Sequence, residues 1–127
     1  MLIGHIALYT ENLEAMRDYY VKYFGATSND LYENDATGFQ SYFLHFGDGG
    51  AMLEIMKRPH IADRAEKQNV GYAHLAMSTG SSSVVDSLTE KIRKEGYTVK
   101  SDPRFTGDGF YESVVLDPDG NEIEITV

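Results

Sequence analysis

The 127-residue sequence predicts an α+β fold made of two βαβββ modules in tandem, forming a curled mixed sheet. Three observations predict it. Strand and helix periodicities follow the same order in both halves. "GHIAL" and "AHLAM" stand at an offset of 69, and "FGDGGAMLEIM" and "LDPDGNEIEIT" at 70 with no gap. Gly25 and Gly96, each placed to stop a helix, are 71 apart. Order and register, more than identity, mark an internal duplication, and a duplicated unit predicts pseudo-twofold symmetry.

Module one occupies residues 1–58. Leu2–Tyr9 alternates as a strand. A helix follows from Leu13 to Phe24, with Leu13, Met16, Tyr20, Tyr23 and Phe24 as its apolar face and Thr10 or Asn12 as cap. Gly25 ends it, because glycine enters the left-handed conformation cheaply. Strands are expected at Ala26–Glu33, at Phe39–Phe46 and, after the turn "GDGG", at Ala51–Lys57. The polar stretch "RPHIADRAEKQN" breaks at Pro59 and reads as a linker, residues 59–70.

Module two, residues 71–127, repeats the order, so the whole chain forms one domain. Tyr72–Ser78 is a strand, and serines cluster at Ser81–Ser83 where a helix needs its cap. The helix Ser82–Glu95 turns Val85, Leu88 and Ile92 inward, and Gly96 stops it. A strand at Tyr97–Ser101, a loop "DPRFTGDG", a strand at Phe110–Leu116, the turn "DPDG" and a strand at Glu122–Val127 complete the module.

Lys and Arg number 11 and Asp and Glu 20, for a formal net charge of −9. That sign disfavours nucleic acid and anionic membrane surfaces, which need a basic footprint. Small molecules, metal cations and protein partners are left. There is no cysteine, which excludes disulfides, thiolate catalysis and Cys-based metal sites. No apolar run has the length of a membrane span, and no leader is expected before a strand that begins almost at Met1. The cytoplasm is the expected compartment.

Each module carries one histidine in its first strand and one glutamate in its last. His5 precedes Glu54 by 49 residues, and His74 precedes Glu124 by 50. Glu54 lies between Leu53 and Ile55, and Glu124 between Ile123 and Ile125. A carboxylate in an apolar strand is costly unless compensated. A divalent cation would compensate both at once, and two imidazoles with two carboxylates suit a borderline or hard ion. Strand parity puts Ile3, Ala7 and Tyr9 on the His5 face, and Tyr72, Ala76 and Ser78 on the His74 face. The small Ala7 and Ala76 would leave room for water or substrate. His45, with Val115 as its counterpart, and His60 in the linker stand outside this pattern. Glu122 shares the face of Glu124 but matches Met52 and reads as solvated.

The opening H-x-A-L strand, the helix "AMRDYYVKYFG" and the closing "DPDGNEIEI" resemble the vicinal oxygen chelate superfamily, and within it glyoxalase I. The resemblance spans nearly the whole chain and implies the glyoxalase/bleomycin resistance/dioxygenase fold. It implies a divalent ion (Ni, Zn, Co, Mn or Fe) on His5, Glu54, His74 and Glu124. It further implies a lyase/isomerase that converts the hemithioacetal of methylglyoxal and a thiol into a lactoyl thioester through an enediolate. Glu124 is then the favoured base and Glu54 a second proton shuttle. Members that use glutathione commonly carry an arginine shortly after the first histidine, and here Tyr9 stands in that region. Arg104, in the loop where the family grips its thiol cofactor, is the other candidate for substrate binding. Glutathione or another thiol is the expected partner, and a homodimer the expected assembly. Epimerisation of a CoA-linked acid is a second enzymatic reading, and a metal-free drug-binding module is one from a different class.

Overall fold

In the computed structural model, which describes residues 1–62, 70–107 and 109–127, the chain divides into two units, Met1–Arg64 and Ala65–Val127. Most of the predicted linker, residues 63–69, lies outside the described residues, as does Asp108.

The first unit begins with strand β1, His5–Tyr9, followed by helix α1, Leu13–Phe24. The Asn12 side chain accepts from the Ala15 N–H at 3.1 Å and so caps α1, while Thr10 Oγ1 accepts from the Asn12 N–H. Gly25 closes the helix in the left-handed conformation, φ 64°. The predicted strand Ala26–Glu33 is two short ones, β2 (Thr27–Ser28) and β3 (Tyr32–Asn34). Asn29 divides them: its side chain accepts from the Phe43 N–H at 2.7 Å, a bond that a continuous strand would draw from its backbone. Strands β4, Phe39–His45, and β5, Met52–Lys57, follow. The sheet order is β1-β5-β4-β2, with β3 also on β4; β1 and β5 run parallel and the other pairs antiparallel.

The second unit contains β6 (His74–Ser78), α2 (Ser82–Lys94), β7 (Val99–Phe105), β8 (Tyr111–Leu116) and β9 (Glu122–Thr126). Their order is β6-β9-β8-β7, again with the first and last strands parallel. Ser81 caps α2 by accepting from the Val84 N–H. Strand β7 runs through Asp102, Pro103 and Arg104, which sequence had put in a loop. Proline is tolerated because β7 is an edge strand and its register to β8 shifts on either side of this segment.

Each helix covers one face of its own sheet. Under α1 lie Tyr42, Leu44, Leu53 and Ile55, all 5% exposed or less. The helix contributes Leu13, Met16, Tyr20 and Tyr23 as predicted and also Tyr19, whose ring contacts Tyr20, Tyr23 and Phe24. Tyr42 donates to Glu14 at 2.7 Å and accepts from Arg17 at 3.0 Å, tying α1 to β4. That bond to Glu14, with burial, raises the Tyr42 pKa above its ordinary value. In the second unit Val85 and Ile92 pack over Val115, Ile123 and Ile125, all five with no exposed surface. Leu88 is only half-buried, and Thr89 takes the inner place, sharing a 2.6 Å hydrogen bond with Ser113. Full burial of one such isoleucine stabilises by about 1.5–3 kcal/mol. Neither described helix is long and apolar enough to cross a membrane.

Register also corrects the sequence alignment. Leu44 pairs with Leu53 in one unit and Val115 with Ile123 in the other, so the first hairpin holds one more residue than the second. His45 therefore matches Leu116, not Val115.

Candidate functional site

The helix-facing side of each sheet is apolar; the opposite side carries the histidine and the glutamate. In the parallel β1–β5 pair, His5 lies opposite Met52 and Ala7 opposite Glu54. Alternation then puts His5 and Glu54 diagonally on one face, with His5 Nε2 3.8 Å from Glu54 Oε2. The second unit repeats this register: His74 is opposite Glu122, Ala76 is opposite Glu124, and His74 Nε2 is 3.2 Å from Glu124 Oε2. Parity and spacing had paired the same residues.

The histidine side chains are 49% and 41% exposed, and the glutamates only 15% and 23%. Among the described residues, histidine is the one ion-pair partner of each glutamate. Both glutamates are flanked by buried residues that point to the helices, Leu53 and Ile55 or Ile123 and Ile125. Ala7 and Ala76 are exposed and leave the space beside each carboxylate open. The His5 ring stands edge-on to Phe43, 5.5 Å between centroids, and Phe43 is itself opposite Glu54 on β4.

Among the described residues no three His, Asp or Glu side chains gather as a metal-holding group. Each unit instead offers one imidazole nitrogen and one carboxylate oxygen. Adjacent N and O ligands with bonds of about 2.1 Å stand about 3 Å apart on an ion. The 3.2 Å of His74–Glu124 fits that spacing, and the 3.8 Å of His5–Glu54 is wider by the reach of a small side-chain rotation. The donor chemistry of both pairs therefore suits a divalent cation.

The remaining candidates fall elsewhere. Glu122 is ion-paired with Lys100, which fixes it away from a ligand role. His45 is exposed at the end of β4, and His60 is exposed with φ 63°. Arg104 lies in β7 opposite Glu112, and its guanidinium is 3.7 Å from that carboxylate. Glu112 escaped the sequence reading. It is 9% exposed and stands two residues before Val114, the partner of Glu124, hence on the same face. Its signal was the one that marked Glu54, a carboxylate within an apolar strand, "YESVVL". Tyr9 is 39% exposed at the end of β1, and the Arg58 guanidinium covers its ring at 4.6 Å.

The profile of the Glyoxalase/Bleomycin resistance protein/Dioxygenase superfamily matches residues 2–125. The uncharacterized protein YqjT of Bacillus subtilis (strain 168) is 28% identical over 128 residues, which cover 95% of this chain and 94% of that protein. A glyoxalase family protein from Enterococcus faecalis superposes with a TM-score of 0.80 at 21% identity, over 98% of this chain and 96% of that one. Glyoxalase I from Zea mays superposes with a TM-score of 0.81 at 20% identity. This chain covers 44% of the maize enzyme's length, with 98% of its own residues matched.

Proposed function

The chain belongs to the Glyoxalase/Bleomycin resistance protein/Dioxygenase superfamily, and from that premise we propose that it is a metal-dependent lyase/isomerase of glyoxalase I type. Its substrate is the hemithioacetal of methylglyoxal and a thiol, and its product the lactoyl thioester. The observation that carries the reading is the repeated register, which gives each unit one His–Glu pair on an open sheet face. His5, Glu54, His74 and Glu124 are the proposed ligands of one divalent ion, completed within one chain or between two in a cytoplasmic homodimer.

The ion, when bound, supplies Lewis-acid polarisation of the substrate carbonyl. The rest falls to the side chains. Glu124 takes the proton from the carbon that bears sulfur, leaving an enediolate. Glu54, or Glu124 itself, returns a proton to the neighbouring carbon. One C–H bond is lost and one gained, and the hydroxyl proton passes from the oxygen beside sulfur to the neighbouring oxygen, so the isomerisation needs no oxidant or reductant. The carboxylates are half-buried, and the exposed Ala7 and Ala76 beside them leave room for the substrate.

The test is thioester formation from methylglyoxal and a panel of thiols by protein reconstituted with each of the five candidate ions. Turnover with at least one thiol, abolished by chelation, is expected. Metal content below about 0.2 equivalents after reconstitution, or no thioester with any thiol, contradicts the proposal.

A further inference from the structure

Three register pairs of the second unit place Ser78, Thr126, Glu112 and Arg104 side by side across β6, β9, β8 and β7. The four share the face of Glu124, because Thr126 stands two residues after it. This polar row runs beside the row of Ala76, Glu124 and Val114, about 7 Å further along the strands. The matching row of the first unit is Tyr9, Met56, Ser41 and Tyr32, which carries no charged residue.

Glu112 is the unusual member of the row. It is only 9% exposed, yet among the described residues its carboxylate accepts no hydrogen bond and has the Arg104 guanidinium, at 3.7 Å, as its one ion-pair partner. A carboxylate so far from water is costly until donors satisfy its oxygens. Among the described residues no fully covered side-chain oxygen lacks a hydrogen-bond partner, so the Glu112 oxygens keep an opening to solvent. The charges of Glu112 and Arg104 offset each other, so the row favours neither a cation nor an anion. What it offers is hydrogen bonding in both directions. The carboxylate accepts, the guanidinium donates and the exposed Ser78 hydroxyl does either. Thr126, which donates to the Tyr111 carbonyl at 3.4 Å, keeps its lone pairs to accept. Neighbouring hydroxyl groups on a carbon chain are the neutral group that uses all of these, since each O–H both donates and accepts.

We infer that Glu112, within this row, binds a neutral, hydroxyl-bearing arm of the substrate beside the Glu124 carboxylate. A substrate without such an arm leaves the Glu112 oxygens unpaired and is disfavoured. The hydroxyls belong to the carbon chain of the 2-oxoaldehyde or to that of the thiol, and the experiment distinguishes the two sources. The inference rests on the reading of the His–Glu pairs as the reacting centre, and the experiment also separates these.

Amide-resolved NMR titration with erythritol, a neutral polyol, needs neither metal nor turnover. Saturable shifts at Ser78, Glu112 and Thr126 are expected in the wild type, with binding weakened about tenfold to a hundredfold in Glu112→Val. Glu112→Gln, which keeps the shape and loses the charge, should lie between. In turnover, the reference is the hemithioacetal of methylglyoxal and 1-propanethiol. Replacing methylglyoxal by 3-deoxyglucosone puts hydroxyls on the oxoaldehyde side, and replacing 1-propanethiol by 1-thioglycerol puts them on the thiol side. The arm that the row binds should raise kcat/KM above the reference in the wild type, and Glu112→Val should abolish that preference. No saturable erythritol binding, equal binding by the wild type and Glu112→Val, or a preference that survives in Glu112→Val overturns the inference, even if the enzyme turns over the reference. Glu112-dependent erythritol binding without turnover of any hemithioacetal leaves the polyol site standing and removes the reaction.

Discussion

Tyr9, Phe43, Met52 and Met56 line the His5–Glu54 face of the first unit, and Ser78, Val114, Glu122 and Thr126 hold the matching places in the second. Strand pairing is the same on both sides; the lining is not. One histidine and glutamate stand among aromatic rings and thioethers. The other two stand beside further carboxylates, each offset by a cation, Glu122 by Lys100 and Glu112 by Arg104. The two units share the backbone register that sets each His–Glu pair and differ in the residues that line the face around it. The first face is the more apolar of the two, and the second the more polar.

The helix-facing sides differ in the same spirit. Tyr42 reaches Glu14 and Arg17 by hydrogen bonds at the edge of the core of the first unit, whereas its counterpart Ser113 shares a fully buried bond with Thr89. One contact is partly wet and the other dry, which sets how much each can cost when broken.

The largest expected effect tests the division of labour between the two glutamates. Glu124→Gln should lower kcat by about a thousandfold, in the range that a lost general base costs. Glu54→Gln should cost about tenfold to a hundredfold, since Glu124 can return the proton itself. Equal losses in steady-state kinetics would make the units interchangeable and break the comparison. Next come the matched core residues Ile55 and Ile125, both with no exposed surface. Each →Ala variant should lose about 2–5 kcal/mol in denaturant unfolding, and a loss below about 1 kcal/mol would contradict the packing described.

A smaller effect separates the two hydrogen-bonded sites. Thr89→Val leaves Ser113 Oγ without its side-chain partner in a dry core and should cost about 1–3 kcal/mol. Tyr42→Phe should cost about 1 kcal/mol, because water can reach Glu14 and Arg17. The reverse order in urea melts would refute the distinction.

The smallest effect concerns Asp117, 4% exposed in the second hairpin. Burial raises its pKa above the ordinary 3.8, against the lowering by hydrogen bonds from Asn121 and Asp119. The folded state therefore holds this proton more tightly than the unfolded chain does. The stabilising contribution is complete below the ordinary value and is lost as pH rises through the raised one. Asp117→Asn lacks that loss, so its stability should improve relative to wild type over this window, by no more than about 1 kcal/mol. Parallel stability curves for the two proteins between pH 3 and pH 7 would contradict this prediction.

Much of this was legible in the sequence because periodicity and caps are local. Helix α1 was read with the bounds it has, since Asn12 and Gly25 mark its ends chemically. The His–Glu pairs were legible because parity and duplication constrain each other. What escaped depends on neighbours distant in sequence. Pro103 sits in a strand because β7 is an edge, which no local pattern reveals. Thr89 is inward because Ser113 awaits it across 24 residues. Arg58 reaches the face of β1 by stacking on Tyr9 from the end of β5, where sequence showed only a basic residue entering a linker.

The central proposal is that His5, Glu54, His74 and Glu124 are ligands of a single ion. Metal stoichiometry after reconstitution and gel filtration tests it most directly, in the wild type, His5→Ala and His74→Ala. The account predicts about one equivalent per chain in the wild type, lost in both variants alike, because removing a ligand costs at least tenfold in affinity. Two weaker equivalents per chain in the wild type, or a variant that keeps its ion, would show the pairs acting separately and contradict the account.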